Sequence, residues 1–248
     1  MKRRWFDSRE TLGRAPHDGA SPSLWGQKLA ALAQLRQLFA CTLCMALSVI
    51  SASAHAATIF ANAITNTNPS SANPFTAGQT VDPNGTATGI GRGAGLNPNA
   101  GGDRYNATAW NLASLDSGDY FTWTIAPNAG YELDLTSLVY VGQRSSTGPN
   151  SFSLRSSLDG FAASIGAPVA TGTTIDLSAA AYQSLTGPVE FRLYGWGGTS
   201  AAGTYSVNDF SFSGDVSAVV EVPEPAVIAL VVPVLGLAMV AFRRRLAS

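Results

Sequence analysis

Tyr120-Phe121-Thr122-Trp123-Thr124-Ile125 and, further along the chain, Val189-Glu190-Phe191-Arg192-Leu193 are the two runs that decide the fold. In the first, Phe121, Trp123 and Ile125 share one face and the threonines the other. In the second, Val189, Phe191 and Leu193 point one way while Glu190 and Arg192 point outward. A period of two marks strands with one buried face. Phe152 and Leu154 alternate in the same way with Ser153 and Arg155, and Phe210 and Phe212 with Ser211 and Ser213. Further strands are expected at 58–64, 104–110, 131–135, 137–143, 172–177 and 204–208, with one short helical stretch at 178–185. Turn signals separate them: Pro83-Asn84-Gly85, Pro127-Asn128-Ala129-Gly130, Gly148-Pro149-Asn150 and Asp159-Gly160. About eight to ten short strands with glycine-rich connections predict an all-β fold, an antiparallel two-sheet sandwich of jelly-roll type. The run 89–95 has the glycine spacing of a dinucleotide-binding turn, but no βαβ unit surrounds it, so a flexible loop is expected there.

Outside this interval the residue types change abruptly. Between 57 and 221 there is no Cys, His, Lys or Met; Cys41, Cys44, His17 and His55 all lie earlier. Five arginines against twelve carboxylates give that interval a net charge of −7. Such a charge favours solubility and opposes a phosphate backbone, which excludes nucleic acid as a partner.

Each end of the chain carries an apolar segment. Residues 38–50 (LFACTLCMALSVI) follow Lys28 and Arg36 and lead into Ala54-His55-Ala56. A basic region, a short apolar core and an A-x-A box make a secretory signal peptide, handled by the Sec translocon and signal peptidase, with cleavage after Ala56. The cysteines then leave with the signal. At the other end, 226–242 (AVIALVVPVLGLAMVAF) is uncharged and is followed at once by Arg243, Arg244 and Arg245. At ~1.5 Å per residue a helix of that length reaches the short end of what spans a bilayer. The arginines hold the tail on the cytoplasmic side of the inner membrane, and so place the preceding domain outside. The expected organisation is therefore 1–56 extended n-region and signal peptide, 57–217 exported sandwich, 218–225 linker, 226–242 transmembrane helix and 243–248 basic cytoplasmic tail.

Val222-Pro223-Glu224-Pro225, the apolar helix and the arginine cluster, in that order, resemble the PEP-CTERM sorting signal of Gram-negative bacteria. The resemblance covers roughly 222–245. It implies that a membrane transpeptidase, an exosortase, processes the chain near Pro223-Glu224-Pro225. It also implies an inner-membrane-anchored precursor bound for the cell surface or the extracellular matrix, in a cell that makes exopolysaccharide. The prolines give the motif a physical basis, since they disfavour helix and bias the backbone to the extended form a protease-like site can hold. The stretches Arg144-Ser145-Ser146-Thr147-Gly148-Pro149, Leu154-Arg155-Ser156-Ser157-Leu158-Asp159-Gly160-Phe161, Phe191-Arg192-Leu193-Tyr194-Gly195 and Ser200-Ala201-Ala202-Gly203-Thr204 with Asp209 resemble an ectodomain that recurs in such proteins. That ectodomain carries no assigned activity.

Without His, Cys or Lys the exported interval cannot build a Ser-His-Asp triad, a Cys nucleophile, a Ser-Lys dyad or a His-ligated zinc site. Paired carboxylates of glycosidase type remain, Glu132 with Asp134 or Glu190 with Asp209, although alternation puts Glu132 and Asp134 on the solvent face. We read the chain as a structural or exopolysaccharide-associated surface protein and not an enzyme, needing no cofactor. The alternative is a displayed carbohydrate-binding module, or further off a hydrolase. For that alternative Trp110, Tyr194 and Trp196, at strand ends, are the candidate sugar-stacking residues. For calcium, Asp116, Asp119 and Asp209 are the candidate ligands, without a recognisable loop motif.

Overall fold

The structure, a computed structural model, describes residues 57–220. The expected signal segment with Ala54 and Ala56, the stretch Val222-Pro223-Glu224-Pro225, the apolar stretch 226–242 and Arg243, Arg244 and Arg245 lie outside the described residues. Among the described residues no helix is long and apolar enough to cross a membrane.

Two antiparallel sheets face each other. The smaller has the order β3 (Gly85–Arg92), β6 (Tyr120–Pro127), β10 (Val189–Trp196), β8 (Ser151–Ser156). The larger is built on β11 (Tyr205–Ala218). Along one edge β11 pairs throughout with β7 (Tyr131–Arg144), which in turn carries β9 (Thr174–Asp176). Its other edge is shared lengthwise by β1 (Ala57–Ala63) and β5 (Tyr105–Thr108), with β2 (Thr80–Val81) and β4 (Asn97–Pro98) outermost. The all-β, two-sheet sandwich expected from alternation is what the chain adopts.

The core is aromatic. Trp123 meets Phe210 across the sheets at 5.5 Å between ring centroids, Phe191 meets Phe212 at 5.3 Å, and Phe121 meets Tyr205 at 5.8 Å. Edge-to-face and offset rings at such distances add to the area they bury. Phe121, Trp123, Phe191 and Leu193, the residues that alternation placed inward, are fully buried.

Several expectations need correction. The separate strands expected at 131–135 and 137–143 are one strand, β7, and those at 204–208 and 210–213 are both β11. In β7 the buried positions run Leu133, Leu135, then Leu138, Tyr140, so the alternation changes phase at Thr136. In β11 they run Tyr205, Val207, then Phe210, Phe212, with the phase change at Asn208. The register slips at both places: Gly214 faces Leu135 while Ser213 faces Ser137, and Val207 faces Gly142 while Asp209 faces Val141. An extra residue in one strand reverses the face of everything after it, which in a sequence looks like a strand break.

The glycine run 89–95 is not a free loop. Gly89 to Arg92 complete β3, and Gly89 is there because a Cβ would lie 1.7 Å from the Phe75 carbonyl oxygen. Close backbone approach, rather than mobility, explains the glycine. The helical stretch expected at 178–185 reduces to one 3₁₀ turn, Ala180–Tyr182. The sandwich also runs past residue 217: Ala218 pairs with Tyr131 and the Val219 amide donates to the Gly130 carbonyl at 2.9 Å.

Candidate functional site

Strand pairing collects the polar and aromatic side chains of the smaller sheet on its outer face. Tyr120 faces Tyr194, Thr122 faces Arg192 and Thr124 faces Glu190, while β8 sets Arg155 beside Arg192 and Ser153 beside Tyr194. Directly opposed residues of an antiparallel pair share a face.

The centre of this surface is Arg192. Its Nε donates to Glu190 Oε1 at 2.7 Å, and Thr122 Oγ1 donates to the same oxygen at 3.0 Å. Its guanidinium carbon lies 4.4 Å from the Tyr120 ring centroid and 3.8 Å from that of Phe161. Burial works against the charge of Arg192, but the hydrogen bond and charge of Glu190, together with Tyr194 and Tyr120, outweigh it and raise the guanidinium pKa above its ordinary value.

Phe161 reaches this position through a strained turn. Gly160 is left-handed at φ 69, and Phe161 follows at φ 63, a conformation that a bulky residue holds only where its surroundings impose it. The Asp159 carboxylate accepts from the amides of Ala162 and Ala163, the Phe161 amide donates to the Ser156 carbonyl, and Arg155 Nη1 donates to the Phe161 carbonyl at 2.9 Å. Those hydrogen bonds to the carboxylate, Ala163 first, hold the Asp159 pKa below its usual value. The arginines thus clasp the 157–161 turn onto the sheet.

The sugar-stacking candidates are distributed differently from expectation. Trp110 is only 2% exposed, with edge-to-face contacts to Phe121 and Tyr205 and its Nε1 donating to the Ala107 carbonyl. It fits inside because Gly195 offers no side chain; a Cβ there would stand 3.0 Å from the Trp110 ring. Tyr194 lies on the outer face yet is 3% exposed, packed between Tyr120 and the Arg155 guanidinium. Neither offers a free ring face, and Trp110, expected off the alternating core face, belongs to the core. Trp196 is half-buried, on the same face as Tyr194 and Arg192 at the end of β10.

The acidic candidates also separate. Asp116 is exposed and accepts from the Gly118 amide within its own turn. Asp119 is 5% exposed and its Oδ2 accepts from the Asn111 amide at 2.7 Å. Burial raises its pKa; the Asn111 hydrogen bond opposes this and the neighbouring Asp116 adds to it. Asp209 is exposed on β11, in the other sheet, between Ala63 and Val141. Among the described residues no three His, Cys, Asp or Glu side chains gather as a metal would require. Glu190 and Asp209 stand on the outer faces of opposite sheets, too far apart in the architecture to act as a carboxylate pair.

The loops at the end of the sandwich where β11 begins interlock. Ser145 N donates to the Thr204 carbonyl, Thr204 N to Ser145 Oγ, and Thr199 N to the Thr147 carbonyl. Gly203 has to be a glycine, since a Cβ would lie 2.3 Å from the Thr147 oxygen. The segments 144–149 and 200–204, picked out in the sequence as recurring stretches, are therefore partners in one structural joint. Residues that sequence reasoning missed are Tyr120, Arg155, Phe161 and Arg192. The alternating pattern placed Arg192 outward, but only the cross-strand register brings it to the others.

No protein-family model matches the chain, and no curated protein or solved structure matches it either.

Proposed function

We propose that this chain is an exported surface protein whose C-terminal segment is a sorting signal read by an exosortase, and whose sandwich is a non-catalytic structural module displayed among exopolysaccharide. The observation that carries the reading is the order of Val222-Pro223-Glu224-Pro225, an uncharged stretch 226–242 and Arg243-Arg244-Arg245. An anchor alone requires apolar length and flanking arginines and is indifferent to the residues before them. β11 ends at Ala218, a few residues before the proline pair, so the fold leaves the motif outside its last strand. The reading includes jelly-roll-type connections, supported by sheet neighbours such as β1 and β11 that are remote in sequence.

The test replaces Pro223, Glu224 and Pro225 together by alanine in a producing cell. Membrane insertion should be unchanged while the unprocessed precursor accumulates, as it should for the wild-type chain in a cell lacking the exosortase. Normal processing of the triple variant would defeat the reading. The displayed carbohydrate-binding module stays as a second reading because half-buried Trp196 continues the Tyr194–Arg192 row. Glycan binding lost on Trp196→Ala would favour it.

A further inference from the structure

The end of β11 is fastened in a way that bears on how the sorting motif is reached. The Val219 amide still bonds the Gly130 carbonyl, and Ala218 still faces Tyr131. Pro223 is only four residues beyond Val219. A fully extended chain covers at most about 3.3–3.6 Å per residue, so the motif cannot lie more than roughly 14 Å from the fastened point. β1 pairs with β11 as far as Gly214 and β7 pairs with it on to Ala218, so the folded domain stands directly at the root of that short tether. An active site that encloses an extended peptide would meet the sandwich before it closed on the prolines.

The same stretch is built to come away. A register slip at Ser213/Gly214 separates it from the aromatic part of the strand. Beyond the slip Asp215 faces Asp134, two carboxylates directly across the ladder, an arrangement that weakens a strand pair. No residue from Asp215 to Val219 is fully buried, and Val220 is 83% exposed. We infer that residues 215–219 are a releasable strap: they peel from β7 when the motif is read, lengthening the tether by roughly 17 Å at ~3.3 Å per residue, while the rest of β11 stays in the sheet. This rests on the sorting reading above and adds a conformational control to it.

Tyr131 and Ala218 offer the test. They are cross-strand partners flanking the bonded Gly130/Val219 position, a geometry that accepts a disulfide, and the exported interval has no other cysteine. In the full-length chain, expressed in the producing cell, Tyr131→Cys with Ala218→Cys should slow conversion of precursor to product roughly tenfold or more, because strap opening now requires bond reduction. Addition of a permeant reductant should restore the rate. Six Gly/Ser residues inserted after Val220 should restore it without reductant, and in the unclamped chain should leave it equal or faster. An oxidised, clamped chain processed at the wild-type rate would overturn the strap while leaving the sorting reading intact. A wild-type chain that is never processed, or a triple-alanine motif variant processed normally, would remove the sorting reading and the strap with it.

Discussion

From Tyr205 to Phe212, β11 lies under aromatic rings of both sheets; from Asp215 to Ala218 the same strand, against the same neighbour β7, buries no side chain fully. The ladder continues through both halves, and each backbone hydrogen bond contributes a similar net ~1 kcal/mol after exchange with water. What differs is apolar area removed from solvent, at ~25 cal/mol per Å². Tyr205 touches Trp110, Phe121 and Phe152, and Phe212 touches Phe60, Trp123 and Phe191. The far half offers Val216 packed at the core margin and a carboxylate opposite a carboxylate. A drawn strand is thus uniform in hydrogen bonding and uneven in strength, and the strong half is the one locked into the interlocking loops.

The widest gap should appear on truncation. Phe212→Ala should cost about 3–5 kcal/mol, whereas Val216→Ala should cost about 1 kcal/mol, by denaturant unfolding of residues 57–220. Equal losses would erase the distinction. Native-state hydrogen exchange gives the same contrast without mutation: amides of 205–212 should open only with global unfolding, and those of 215–219 at a smaller free energy.

Glycines at the two ends sharpen it further. Gly203→Ala, which drives a Cβ into the Thr147 carbonyl, should destabilise by about 1–3 kcal/mol. Gly187→Ala, on the approach to β10 at the opposite end, meets nothing within 4 Å and should be neutral or stabilise by up to about 1 kcal/mol. A tolerated Gly203→Ala would mean the 145–149 and 200–204 loops are not the rigid joint described.

A pH profile probes the strong end through Asp119. Its folded pKa is raised by burial, so its contribution to stability is fully present below the ordinary carboxylate value and is lost as pH rises through the raised one. Asp119→Asn keeps an acceptor for the Asn111 amide and removes the titration. The variant should therefore gain on the wild type as pH rises through the acid range above about 4, with the gain constant thereafter. Parallel profiles would contradict the assignment. The smallest effect belongs to the weak end: Asp215→Asn should stabilise by about 0.2–1 kcal/mol by relieving the Asp134 contact. That gain should shrink in ~1 M salt, and a salt-independent gain would point to a cause other than charge.

Strands with unbroken alternation, β6, β8 and β10, were legible residue by residue because periodicity is a property of a single strand and needs no partner. Nothing local in the sequence separates Glu190 from Asp209 as a glycosidase-type pair; only the sheet assignment sets them on opposite outer faces. The long strands were read as fragments because Thr136 and Asn208 each insert one residue, and an insertion is visible only against the strand it slips past. Gly89 and Gly203 read as loop residues for the same reason: the carbonyls that require them, Phe75 and Thr147, belong to remote segments. Burial of Trp110 depended on Gly195, and that of Tyr194 on Tyr120 and Arg155, none of which local pattern could join to them. The sequence by itself determined the strand class, the residue types missing from 57–221 and the three-part order of residues 222–245, since each is written in consecutive residues. The tertiary structure alone decided which outward side chains gather around Arg192, which aromatics keep a free face and where β11 turns from core to strap. Those depend on cross-strand register and on distance between residues far apart in the chain.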